Sequence, residues 1–247
     1  MSRSNSEGEK LQHPCKSFMQ WAAKKAELSY YDKETKLDVI VPIPFRFLVL
    51  DELHTIRGYN KPKKEGYWSN EVRDTKKQVI KIQSKAGVQA EGLYEDIKGK
   101  VAGAKYNKAV YIAYFDTNKA LKLGCLLLSG TAMSDWFDFC KGKNVKTGAI
   151  KIEGTRKVED GEDVYYSPIF NQIECKPETE ALAIELDKAL QVYLKAYFSK
   201  DYVESQNIEG NRLESAKDQA VHQDDAASVK SDPAITSMPD IDDDLPF

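Results

Sequence analysis

The chain is poor in the residues that most catalytic and metal chemistry requires. Among 247 residues there are three histidines (His13, His54, His222) and four cysteines (Cys15, Cys125, Cys140, Cys175). No pair of cysteines has the spacing of zinc ligands, so no structural metal site is expected. Scattered single cysteines fit reduced thiols and a cytoplasmic chain, in the host cytoplasm if the source is viral. A Gly-rich phosphate loop, a His-Glu-x-x-His helix and a nucleophile elbow are all missing. The one dense carboxylate group, Asp242, Asp243 and Asp244, lies on a floppy end rather than on the rigid scaffold that a metal-dependent nuclease needs. Neither a cofactor nor an enzymatic activity is expected. No apolar run is long enough to span a membrane, and no signal peptide or internal repeat is evident.

What the chain does have is an uneven charge. An apolar content of 41% is enough for a real core. The formal net charge is −3, but residues 201–247 hold three basic and twelve acidic side chains, a net of −9. Residues 1–200 hold the other 33 basic and 27 acidic side chains, a net of +6. A basic body joined to an acidic tail is the asymmetry of a nucleic-acid binder whose tail has a separate task. Four regions follow from composition. Residues 1–14 are polar and expected to be disordered, and 15–200 form the folded domain. Residues 201–239, rich in Ser, Asp, Gln and Ala, read as a linker, and 240–247 form an acidic tip.

Hydrophobic periodicity gives the element order. Residues 15–28, with Phe18, Trp21 and Ala22, read as a short helix or as an aromatic arm lying on the body. Residues 37–57 alternate as one long strand, with Pro42 and Pro44 marking an edge or a bulge. Residues 58–70 read as a loop, 75–84 as a strand, and 90–105 as an inserted helix with Leu93, Ile97 and Val101 on one stripe. Gly92, Gly99 and Gly103 weaken that helix. Residues 109–115 and 121–128 form a hairpin, 131–141 a helix with Trp136, Phe137 and Cys140 facing inward, and 145–158 with 164–173 a second hairpin. A long helix runs from Pro177 to about residue 199, its seam made of Leu182, Leu186, Leu190, Tyr193 and Tyr197. The fold class is therefore mainly β (α+β). Its expected form is an OB-like antiparallel barrel with an inserted helix and a long C-terminal helix, some other small α+β barrel being the alternative that pattern alone leaves open; the acidic tip favours the OB form by analogy with single-strand binders.

Binding a single strand without reading its sequence takes cations along the phosphates and aromatic faces for the bases. Residues 57–85 carry both: Arg57, Lys61, Lys63, Lys64, Arg73, Lys76, Lys77, Lys81 and Lys85 interleave with Tyr59, Tyr67 and Trp68. Nine cations against Glu65, Glu71 and Asp74 give +6, equal to the whole surplus of the body. Trp68 and Tyr67 are expected to stack on bases from a polar loop. The alternative for Trp68 is that it plugs one end of the barrel. Tyr111 is a further stacking candidate, whereas Tyr193 and Tyr197 suit a helix-docking seam. His54 reads as structural or exposed.

The tip carries Asp240, Asp242, Asp243, Asp244, Leu245, Pro246 and Phe247. Its carboxylates and apolar end suit a pocket with a hydrophobic floor and a basic rim, and capture of a C-terminal carboxylate is a recurring recognition mode. The string DIDDDLPF resembles the acidic tip of bacterial single-stranded-DNA-binding proteins, with Leu245 where that family more often has Ile. The resemblance covers eight residues. Taken with the body, the chain resembles a bacteriophage-type member of that functional group. It implies a partner list of single-stranded DNA, replication, recombination and repair proteins held by the tip, and self-association in some cases, with no membrane. RNA binding, strand annealing, or nuclease or other DNA-processing activity are the competing readings.

Overall fold

The computed structural model describes residues 12–161 and 163–199. Its organising element is a strand that the prolines define. The expected run 37–57 divides at the Ile43–Pro44 bond, which is cis. Before it lies β3 (Leu37–Val41) and after it the 16-residue β4 (Phe45–Asn60). Proline supplies no ladder N–H, so the hydrogen-bonding register ends there and restarts. β3 pairs with β2 (Glu27–Asp32), which pairs with β1 (Ser17–Ala22). The short helix or arm expected over 15–28 is thus corrected to strand. Met19, Trp21 and Leu28 all point into the core, which rewards a two-residue period.

β4 has two edges and uses both. Along one it pairs with β8 (Ala104–Phe115), from Leu48↔Ala113 to Gly58↔Ala104. Along the other its first residues pair with β10 (Ala149–Asp160) and its last with β5 (Glu65–Ser69). The sheet continues through β6 (Ile80–Ser84) and β7 (Gly87–Gly92) on that side. On the β8 side it continues through β9 (Leu121–Leu128) to β1. The β1–β9 pair is parallel, so the eleven-stranded sheet is mixed rather than wholly antiparallel. Its ladders form an open path. The last strand, β11 (Asp163–Ile173), pairs only with β10. It meets the end of β1 through two hydrogen bonds at 2.8 Å, Tyr166 N–H to the Ala23 carbonyl and Trp21 Nε1–H to the Tyr166 carbonyl.

Two expected helices form where the periodicity places them. They are α2 (Gly130–Cys140) and α3 (Pro177–Tyr197), the latter opened by a proline that has no N–H to leave unpaired. The α3 seam is turned from the expected one. Ala183, Leu190, Tyr193, Leu194 and Tyr197 are buried, while Leu182 is 55% exposed. The inserted helix is corrected: only the single turn α1 (Tyr94–Ile97) forms, and β7 takes the residues before it. Gly92, Gly99 and Gly103 all have positive φ, which a continuous helix cannot hold. The loop expected over 58–70 is a β4–β5 hairpin, and the strand expected over 75–84 begins only at Ile80.

Three apolar clusters result. The first lies between the curled sheet, α2 and the β10–β11 hairpin, around Phe47, Val110, Ile112, Leu126, Trp136 and Phe170. A second lies on the opposite face of β4, β8 and β9, under α3. The third joins the far end of β4 to β5, β6 and α1 through Ile56, Tyr67, Ile80, Ile82 and Ile97. Between β4 and the approach to β8 there is no room for a side chain. A Cβ on Gly58 would sit 1.9 Å from the Gly103 carbonyl oxygen. Gly58→Ala is therefore expected to destabilise the domain by about 1–3 kcal/mol, as overpacking does. Denaturant titration reads the loss.

Candidate nucleic-acid interface

The β4–β5 turn is built by Asn60. Its Oδ1 accepts from Lys63 N–H at 3.1 Å, and its Nδ2 donates to the Ala102 carbonyl at 3.1 Å. Lys64 takes the left-handed conformation that closes the turn (φ 51°). The ladder register then decides what lies beside it. Trp68 pairs with Gln83, so the start of β5 lies alongside the β6–β7 turn at residues 85–86. Arg57 pairs with Lys105 and Gly58 with Ala104, so the start of β8 arrives at the same end. Lys61, Lys63, Lys64, Lys85 and Lys105 are all exposed there, with Arg57 and Tyr59 half-buried on the adjoining rungs. Lys105 was not singled out from the sequence. Its place just ahead of the apolar run Ala109–Phe115 is the signal that the sequence offers.

The remaining predicted cations lie elsewhere. Lys76 and Lys77 occupy the turn that precedes β6, at the opposite end of that strand, roughly 17 Å away by strand rise. Lys77 pairs with Asp74 at 3.6 Å, and Lys81 with Glu91 at 3.8 Å. Arg73 is a strut. Its Nη2 bonds Asp51 Oδ2 at 2.9 Å, and its guanidinium lies 5.3 Å from the Phe198 ring centroid. Asp51 is buried on β4 and also accepts from Gln191 of α3 at 3.3 Å. Burial pushes its carboxyl upward. The Arg73, Glu52 N–H and Gln191 hydrogen bonds outweigh that and hold it below the usual carboxylate range.

Three predicted stacking residues are corrected by burial. Tyr67 is 1% exposed, Trp68 6% and Tyr111 0%, so none offers a ring face to a base in this conformation. Tyr67 belongs to the third apolar cluster, and its hydroxyl donates to Glu65 at 3.2 Å. Trp68 sits on β5 opposite Arg57, as a packed residue rather than a loop residue. Tyr111 lies beneath α3 and donates its hydroxyl to the buried Glu71, whose own N–H donates to Tyr197 at 2.8 Å. Alternating Lys and aromatic residues conceal this outcome, because a twisted hairpin buries rings that a polar loop would leave outside. Tyr59 is the predicted aromatic that stays partly exposed, beside Lys61.

His54 lies on β4 and exchanges two backbone hydrogen bonds with Val72, at 2.8 and 2.9 Å. The Tyr106 hydroxyl bonds its Nδ1. Burial, then the charge of Lys108, lower its pKa to about 4 against the pull of Glu52 and Asp74. Burial likewise pushes Tyr106 up to about 12. The partner-binding residues of the tip, Asp240 to Phe247, lie outside the described residues. So do residues 201–239. Among the described residues no helix is long and apolar enough to cross a membrane, and no group of three or more His, Cys, Asp or Glu is placed to hold a metal ion. No family model, curated protein or solved structure matches the chain.

A histidine that folds with a depressed pKa binds its proton more readily in the unfolded chain. Its contribution to stability is present above the unfolded value of 6.5 and declines as pH falls from there to about 4. Melting temperatures of wild type and His54→Gln measured across that window are therefore expected to converge as pH falls, the wild type losing more. Parallel curves would show that His54 is protonated equally in both states.

Proposed function

We propose that the chain is a sequence-tolerant single-stranded-DNA-binding protein whose acidic tip recruits replication, recombination and repair proteins. One observation carries the reading. Three separate segments of a mostly paired sheet bring Lys61, Lys63, Lys64, Lys85 and Lys105 to one end, with Tyr59 among them. Exposed lysines brought together from three segments make a surface that attracts a polyanion such as a phosphate backbone.

The chain path supports the same reading. With β1–β3 set aside and β5 to α1 taken as an insertion, the order is β4, β8, β9, α2, β10, β11, with β10 returning to pair with β4. We read that order as resembling the OB plan, with a helix before the last hairpin. The two hydrogen bonds between β11 and the end of β1 would complete a ring of six strands with β1 interposed. OB domains take oligonucleotides on the second and third strands and on the loops after the first and fourth. The first of those loops corresponds here to residues 61–103, which carry most of the basic cluster. The acidic tip then acts as a separate arm for protein partners.

The test is electrostatic. Lys63→Glu with Lys64→Glu is expected to weaken binding of a dT oligomer and to flatten the dependence of affinity on salt, because fewer counterions are released. An unchanged slope would remove this end of the sheet from the interface. Cleavage of a labelled strand in Mg²⁺ would turn the reading toward a nuclease, and preference for RNA of the same sequence toward an RNA binder. Deleting residues 240–247 is expected to abolish pull-down of partner proteins and leave strand binding in place. Partners retained by the truncated chain would overturn the role of the tip.

A further inference from the structure

At the basic end the sheet has two unlike faces. Ile56 of β4, Tyr67 of β5, Ile80 and Ile82 of β6 and Ala104 of β8 all pack in the third apolar cluster, with Ile97 of α1. Alternation puts their neighbours Arg57, Tyr59, Trp68, Gln83 and Lys105 on the other face. The register sets four of these in one row across the strands: Lys105 opposite Arg57, Arg57 opposite Trp68, and Trp68 opposite Gln83. A contact fixes the side independently. The Arg57 guanidinium lies 5.3 Å from the ring centroid of Phe18, which belongs to the cluster under α3. The face that is apolar at Leu53, Ala109 and Tyr111 therefore continues along β4 and β8 and turns basic at Arg57 and Lys105. Glu65, the acidic residue of β5, has the parity of Tyr67 and accepts its hydroxyl hydrogen bond, so it lies with the α1 side.

Tyr59 holds the next position of this face, one rung beyond Arg57. An aromatic residue in a ladder is ordinarily flanked by the side chain across from it. Here the residue across from it on β5 is Gly66. On its other side the chain is Gly103, where a Cβ would sit 2.5 Å from the Tyr59 carbonyl oxygen. No side chain stands opposite Tyr59 from either neighbouring segment, and the residue is half-buried rather than sealed. Gly103 has a positive φ and a backbone reason to be glycine, whereas Gly66 has no positive φ. The ladder conformation alone does not call for glycine at position 66.

We propose that the single strand lies on this face, opposite the α1 side, with one unpaired base stacked on Tyr59 beside Gly66 and the adjoining phosphates along Arg57 and Lys105. The inference rests on the single-strand reading above and adds which side of the sheet the strand takes and where a base is held. Charge favours this side: Lys105 is exposed on it, while Glu65 is turned to the other. A ring without a hydrogen-bonding frame around it suits a protein that does not read sequence, because every base has a π-face. Trp68, packed between Arg57 and Gln83 on the row, supports the face from within.

The experiment compares a dT oligomer with one of equal length in which abasic spacers replace the central bases, so the phosphates are unchanged. Tyr59→Ala is expected to lose about tenfold in affinity for the dT oligomer, the value of roughly one stacked base, and nothing for the abasic one. Tyr59→Phe, which keeps the ring, is expected to bind both as wild type does. Gly66→Leu, which sets a side chain against the ring, is expected to repeat the alanine pattern. Lys105→Gln is expected to weaken both oligomers and to lower the slope of log affinity against log salt by about 0.7, the share of one phosphate on a single strand. Lys98→Gln with Lys100→Gln, on the α1 side, is expected to change neither affinity. The stacking site is overturned if Tyr59→Ala binds both oligomers as wild type does, or loses both alike. It is equally overturned if Gly66→Leu leaves dT binding intact. A loss from the α1-side pair as large as that from Lys105→Gln would put the strand on the other face. If Lys63→Glu with Lys64→Glu still weakens both oligomers in any of these cases, the single-strand reading survives without this placement. A wild-type protein that binds neither oligomer removes both.

Discussion

A strand in the middle of a sheet has two rows of hydrogen-bonding groups, and both must find partners when it is buried. β4 is long enough to divide that requirement among three neighbours. β8 takes one row over most of its length, while β10 and β5 take opposite ends of the other. Between those ends, where neither β10 nor β5 reaches, His54 is paired by the isolated bridge to Val72. Shared in this way, β4 has to twist and curl, and the register shift between Val49 and Asp51 lies in its middle. The first cluster forms inside the curl at its start, and the third at its far end. The basic end, the polar rungs at Glu52 and His54 and the face under α3 are three stretches of one backbone.

Burial under α3 is not purely apolar. Asp51, Glu71, Thr55 and Ser69 are all buried near the same strand, and each is bonded. Arg73 and Gln191 hold Asp51, and Tyr111 and Tyr197 hold Glu71 through its side chain and its backbone. A buried charge left without a partner would cost several kcal/mol, so these bonds fix where α3 can sit. Apolar contacts alone would let the helix slide along the sheet by a turn. The network gives α3 one position, which is why its seam is set by Ala183, Leu190 and Leu194 rather than by the exposed Leu182.

The parts of this arrangement that were legible in the sequence are those set by local pattern. The hairpins over β8–β9 and β10–β11, the helix α2 and the helix α3 follow from period and turn residues. Residues 15–32 were not legible, because two short strands rich in aromatics and lysines match a helix or a strand equally well. Their pairing is decided by β9, far along the chain. The basic cluster was legible as composition, yet its division was not. Lys63 and Lys64 lie at one end of the β5–β6 sheet and Lys76 and Lys77 at the other, because a hairpin register separates what the sequence places close together. Tyr67 and Trp68 misled for a related reason: β5 is short and flanked by polar turns, so it reads as loop until its partners are known. His54 and Lys108 are far apart in sequence and gain meaning only as a cross-strand pair.

The parallel pairing of β1 with β9 sets a timetable. Ser17 lies against Gly124, so β1, which can pair with β2 at once, lacks its other neighbour until β9 exists. A chain emerging from the ribosome carries Met19, Trp21 and Leu28 unsheltered through synthesis of β4, the insertion and β8. β2 and β3 can join β1 as a local meander, but the meander lacks a floor until the β8–β9 hairpin closes. The β8–β9 hairpin, joined by a short turn that Asp116 closes, is the most local pairing available to this end of the sheet, and the β1–β9 pairing is a long-range one. β1 is translated well before the strand that completes its pairing.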